Sequence, residues 1–247
     1  MVYNKWNTMS LYIKIIKGKI VFAMEVRVEM TGNQSAKGNF HYNNIEKKDK
    51  NFMYQNLQKS NCYNSDFSNS NFDYVSFKGA HFKSCRFLQC TFRWAEFIGT
   101  NLKGSNFKDA VFENTVFDSA NLDGANFKDA IFSSTIFLST DIQKAKNLDS
   151  KNPNIKIFHE MPQIEISAEL TAAVENVMEN EYVNKARVFD TKEGTFNLLN
   201  LMILLDNFDE GTLIKGLNMV AAELDRAFYT LSYIIKMLKK YQAEGTL

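Results

Sequence analysis

Residue types that usually carry chemistry are scarce in these 247 residues. The chain holds three histidines, three cysteines and two prolines. Three cysteines outline no disulfide framework, which suits a reducing cytoplasm, with secretion as an effector left open. The histidines, His41, His81 and His159, are too scattered to suggest a metal site, and no metal or cofactor is expected. Neither a glycine-rich phosphate loop followed by a helix nor a GxSxG elbow occurs. The formal net charge is only +1, so there is no global attraction to nucleic acid or to an anionic membrane. The longest apolar stretch, Leu198 to Leu205, contains Asn200 and is far too short to span a bilayer. Residues 11–23 carry Lys14, Lys17 and Lys19 inside their apolar stretch, unlike a cleaved secretory signal. No catalytic role is expected.

What the chain has is a period. From Phe52 to Ile142, nineteen consecutive sites spaced by five hold Phe, Leu, Cys or Ile. The residue two before each is small almost throughout, as at Ala80, Cys85, Cys90, Ala95 and Thr100. The residue two after is often Asn, Asp, Ser or Gly, types that accept turn conformations. A period of five fits neither helix nor strand. It fits a solenoid in which each pentapeptide forms one wall and four walls close a circuit. One large and one small inward residue per wall fill a narrow core, so Cys62, Cys85 and Cys90 read as core fillers.

The triplets Ala120-Asn121-Leu122, Ala125-Asn126-Phe127 and Thr100-Asn101-Leu102 begin pentapeptides that resemble the pentapeptide-repeat family pattern A(D/N)LXX. That resemblance implies a mainly β fold, a right-handed quadrilateral β-solenoid of about five coils. Some members of that family protect bacterial type II topoisomerases by imitating DNA, and those are typically acidic dimers. Here residues 50–150 carry 11 Lys and Arg against 10 Asp and Glu, and no insertion breaks the frame. A neutral rod imitates a polyanion poorly.

Residues twenty apart should stack, which maps the exterior. Wall A has centres 52, 72, 92, 112 and 132; wall B has 57, 77, 97, 117 and 137; walls C and D follow. The A–B corner then carries Tyr54, Tyr74 and Trp94 in one row, where turn residues are usual. Val111 and Ile131 on wall A, and Val116 and Ile136 on wall B, extend this apolar edge as a candidate docking site. Cover by the chain's own helices is the plainer alternative. The opposite edge is charged.

Four regions result: 1–49, a strand and loop region that caps the solenoid; 50–146, the solenoid; 147–165, a linker; and 166–247, an α-helical bundle or hairpin. In the first, Ile13 to Phe22 turn about Gly18, and Val26, Val28 and Met30 alternate as a strand. Ser167, Thr195 and Thr212 are read as helix caps, the last opening one helix to about Tyr241. Along that helix Leu213, Leu217, Val220, Leu224, Ala227, Leu231, Ile234 and Leu238 keep an unbroken heptad seam, a candidate for coiled-coil association and homodimerisation. The expected function is a non-catalytic protein–protein interaction scaffold whose protein partner is unnamed. The alternatives are a topoisomerase protector and a bacterial effector or targeting module.

Overall fold

A computed structural model describes residues 10–16, 19–25 and 40–247. The chain divides into two compact units, 1–36 and 37–247. In the first, β1 (Ser10–Ile16) and β2 (Lys19–Glu25) form an antiparallel hairpin that pairs Ile16 with Lys19 and Ile13 with Phe22. The strand expected over 26–30 lies outside the described residues.

The second unit is a four-sided β-solenoid of about six turns followed by helices. Each circuit takes twenty residues. Asn61 pairs in parallel with His81, Glu96 with Val116, and Val111 with Ile131. The phenylalanines form columns inside: Phe72, Phe92 and Phe112 stack at 5.4 and 5.0 Å, and Phe77, Phe97 and Phe117 at 4.5 and 4.6 Å. All six are fully buried. Small neighbours make room for these rings and bond the circuit above. The Thr115 hydroxyl donates to the Phe92 carbonyl and Thr100 to that of Phe77. From Phe52 to Phe137 the circuits turn their corners through left-handed residues two after each centre, such as Asn64, Asn69 and Gly79.

The solenoid exceeds its expected limits at both ends. His41–Asn43 pairs with Asn61–Tyr63, adding a circuit before residue 50. Ile155–Phe158, inside the expected linker, pairs with Thr135–Leu138 on wall B. The five-residue beat lapses at Asn147 and Asn152 but resumes at Ile157, which is why the last strand is easily missed.

Five helices follow: α1 (Ala168–Glu179), α2 (Glu181–Ala186), α3 (Leu198–Asn207), α4 (Glu210–Glu223) and α5 (Leu231–Ala243). Ser167 caps α1 as expected. The caps of α3 and α4 are Asn197 and Asp209 rather than Thr195 and Thr212. The single long final helix is two. After α4 the chain is non-helical from Leu224 to Thr230, and Ala227 is exposed. Asn180 holds this break: its side-chain amide donates to the Ala221 and Leu224 carbonyls, satisfying groups that a continuing helix would have bonded. The two halves of the heptad then close on each other. Gly216 permits the approach, since a Cβ there would collide with the Leu238 side chain.

Candidate interaction surface

Wall B divides by composition. Its outward column reads Asn56, Ser76, Glu96, Val116, Ile136, Lys156 from circuit to circuit. Among its polar members, Ser76 and Glu96 are buried. Later, Val116, Ile136 and Leu138 are buried against the helices, in one apolar cluster with α1, α3, α4 and α5. The chain's own helices therefore cover the wall-B part of the expected docking edge.

The other part of that edge has a different fate. Tyr54 and Tyr74 stack at 4.7 Å with their rings 15° apart. With Trp94 they occupy left-handed corners, at φ 63°, 63° and 57°. Such a backbone is uncomfortable for aromatic residues, and stacking offsets part of that cost. Helix α5 runs beside the row. The Lys236 ammonium lies 5.0 Å from the centre of the Tyr54 ring and donates to its hydroxyl at 3.3 Å, and Lys239 lies 5.7 Å from the Trp94 ring. Trp94 also packs against the helical cluster. Tyr54, Tyr74 and Val111 are half-buried, and Ile131 is 60% exposed. Of the seven edge residues, then, Val116 and Ile136 lie under helices, Trp94 is at their margin, and four remain accessible.

The seam residues Leu213, Leu217, Val220, Leu224, Leu231, Ile234 and Leu238 are all buried within this chain. Their spacing expresses packing of α4 and α5 inside one bundle and leaves none of these side chains outward for a second subunit.

Sequence reasoning passed over Glu96. It points outward from wall B, yet is 8% exposed, and its Oε1 accepts from the Leu231 amide at 2.6 Å. Thr230, which precedes α5, makes no side-chain cap, so this carboxylate supplies one from the solenoid. Burial pushes the Glu96 carboxyl up to about 7, against the Leu231 amide and the charge of Lys78, which draw it down. Beside Glu96 is a cleft of about 250 Å³ between wall B and the helices, with Trp94, Val116, Ile136, Ile203 and Asn207 among its walls. A lone carboxylate directly preceding Val116 and Ile136 in the column was the available signal.

Elsewhere the chemistry is quiet. Burial pushes the Cys62 thiol up to about 11 and those of Cys85 and Cys90 to about 12, which keeps all three unreactive. Among the described residues no helix is long and apolar enough to cross a membrane, and no three His, Cys, Asp or Glu side chains converge as for a metal.

Residues 56–89, 76–114, 95–133 and 110–146 match the family described as pentapeptide repeats, in eight copies. No curated protein matches the chain. Among solved structures it is similar to HetL, a pentapeptide repeat protein involved in heterocyst differentiation regulation from the cyanobacterium Nostoc sp. strain PCC 7120. Identity is 17% over 47% of this chain and 49% of HetL, with a TM-score of 0.29. The chain thus spans about half the length of HetL. It is also similar to Rfr23 from the cyanobacterium Cyanothece 51142, at 17% identity over 48% of this chain and 84% of Rfr23, TM-score 0.28. A third is full-length QnrB1, a plasmid-mediated fluoroquinolone resistance protein, at 12% identity over 53% of this chain and 96% of QnrB1, TM-score 0.19.

Proposed function

Residues 56–146 are pentapeptide repeats, and on that premise we propose that the protein is a non-catalytic scaffold that docks a protein partner along wall A and the A–B corner. The helices brace wall B, and the corner row with Val111 and Ile131 forms the contact strip. One observation carries this reading: a rigid, hydrogen-bonded wall keeps Ile131 60% exposed, in register with Val111. The filled interior of the rod leaves no internal room for a substrate, which supports a role without catalysis. Three free, buried thiols suit a reducing compartment such as the cytoplasm. The balanced charge of the rod, with Lys236 and Lys239 beside the aromatic row, argues against imitation of a polyanion.

The test is affinity capture with the wild-type chain and Ile131→Asp, each checked for an unchanged melting temperature. A protein retained by the wild type and lost with Ile131→Asp is the expected result. Identical sets retained by both, or none by either, overturn the reading.

A further inference from the structure

The cleft beside Glu96 has a consistent polar chemistry. Two of its side-chain amides have their donors engaged. The Asn200 side-chain amide donates to the Val188 carbonyl at 2.7 Å, and that of Asn207 to the Ile203 carbonyl at 2.8 Å. Each leaves its amide oxygen without a donor among the described residues. Glu96 uses only Oε1, on the Leu231 amide. All three residues line the same cleft. Its charged lining is Glu96 and Asp206 against Lys156, and Lys156 is engaged with Asp206 at 3.3 Å. Lys78 acts on Glu96 through space, but that carboxylate makes no ion pair among the described residues. Around it, Trp94, Val116, Ile136 and Ile203 supply an apolar wall.

We propose that this cleft binds a small primary ammonium group carried on a short apolar stem. An ammonium offers three donors and no acceptor, the complement of unpartnered carboxylate and amide oxygens. Its charge neutralises a carboxylate held in a poorly solvated place. The stem packs on Val116, Ile136 and Ile203. The volume admits a short alkyl chain rather than a drug-sized molecule. A free amine and a lysine side chain of another polypeptide present the same chemistry. The charged groups around Glu96 are Lys78 on the adjoining column of wall B, and Lys156 and Asp206 on the cleft lining.

Calorimetry with n-butylammonium tests it, with n-butanol and tetramethylammonium as controls and a blocked lysine peptide as the second source. Saturable binding of n-butylammonium, absent for n-butanol and weaker for tetramethylammonium, is expected. Affinity should rise as the pH passes upward through about 7, where Glu96 ionises. Glu96→Gln keeps a carbonyl for the Leu231 amide and should weaken binding at least about tenfold. Asn207→Leu, which leaves that cap untouched, should also weaken it and keeps the test decisive if Glu96→Gln fails to fold. Binding of the peptide as tight as that of the free amine identifies a polypeptide source; binding of the amine alone identifies a metabolite. No saturable heat with either amine, equal binding of n-butanol, or unchanged affinity in the variants overturns the proposal.

Discussion

The Leu231 amide donates to Glu96 Oε1 at 2.6 Å, joining the first turn of α5 to wall B across 135 residues of chain. The bond does two jobs. It satisfies one of the unpaired amides at the start of a helix, and it compensates a carboxylate that burial would otherwise make costly.

The pH dependence of stability should reveal this contact. Glu96 releases its proton at about 7 when folded, against 4.5 ordinarily. In that window the folded chain therefore holds more protons than the unfolded one. Its stability must fall as pH rises from about 4.5 to about 7 and level off above. Glu96→Gln removes this component. Melting temperatures of both proteins across that range should converge at the acid end and separate by a changing amount through the window. Parallel curves contradict the assignment.

Gly216→Ala should destabilise the helical bundle by about 1 to 3 kcal/mol through overpacking against Leu238. Alanine is the better helix former by about 1 kcal/mol, so a stabilised variant in denaturant titration shows that α4 and α5 do not approach as described.

Phe92→Ala and Phe112→Ala should each cost about 3 to 5 kcal/mol, because fully buried rings leave a cavity between stacked neighbours. Urea unfolding measures both. A loss below about 1 kcal/mol at either site contradicts a filled interior.

Trp94 and Ile131 should respond in opposite ways although both lie on the apolar edge. Trp94→Ala removes packing against the helices and the ring under Lys239, and should cost about 1 to 2 kcal/mol. Ile131→Asp, at a 60% exposed site, should stay within about 0.5 kcal/mol. Paired thermal melts check the contrast, and similar losses at both sites show that the helices extend over wall A.

The rod was legible because its period is covalent arithmetic. A residue every five and a circuit every twenty place Tyr54 over Tyr74 before any coordinate is known, and their rings stack at 4.7 Å. The edge was also legible as apolar, but its division was not. Val116 and Ile131 look alike in sequence, and only the position of the bundle buries one and exposes the other. The break at 224–230 was hidden for a related reason. Leu224 and Leu231 keep the heptad interval through it, because both still face the bundle core after the chain turns. What ends α4 is Asn180, more than forty residues away in sequence. Glu96 escaped notice because its partner is a backbone amide, which no side-chain pattern marks.

A stack in which every coil touches only its neighbours melts from its ends, one rung at a time. Here α5 grips Tyr54 through Lys236, Trp94 through Lys239 and Glu96 through its own first amide, while Val116 and Ile136 lie beneath the same bundle. A single brace fastened to several rungs makes the loss of one depend on the others. The rod and its helices should consequently unfold in one sharp transition rather than by gradual fraying.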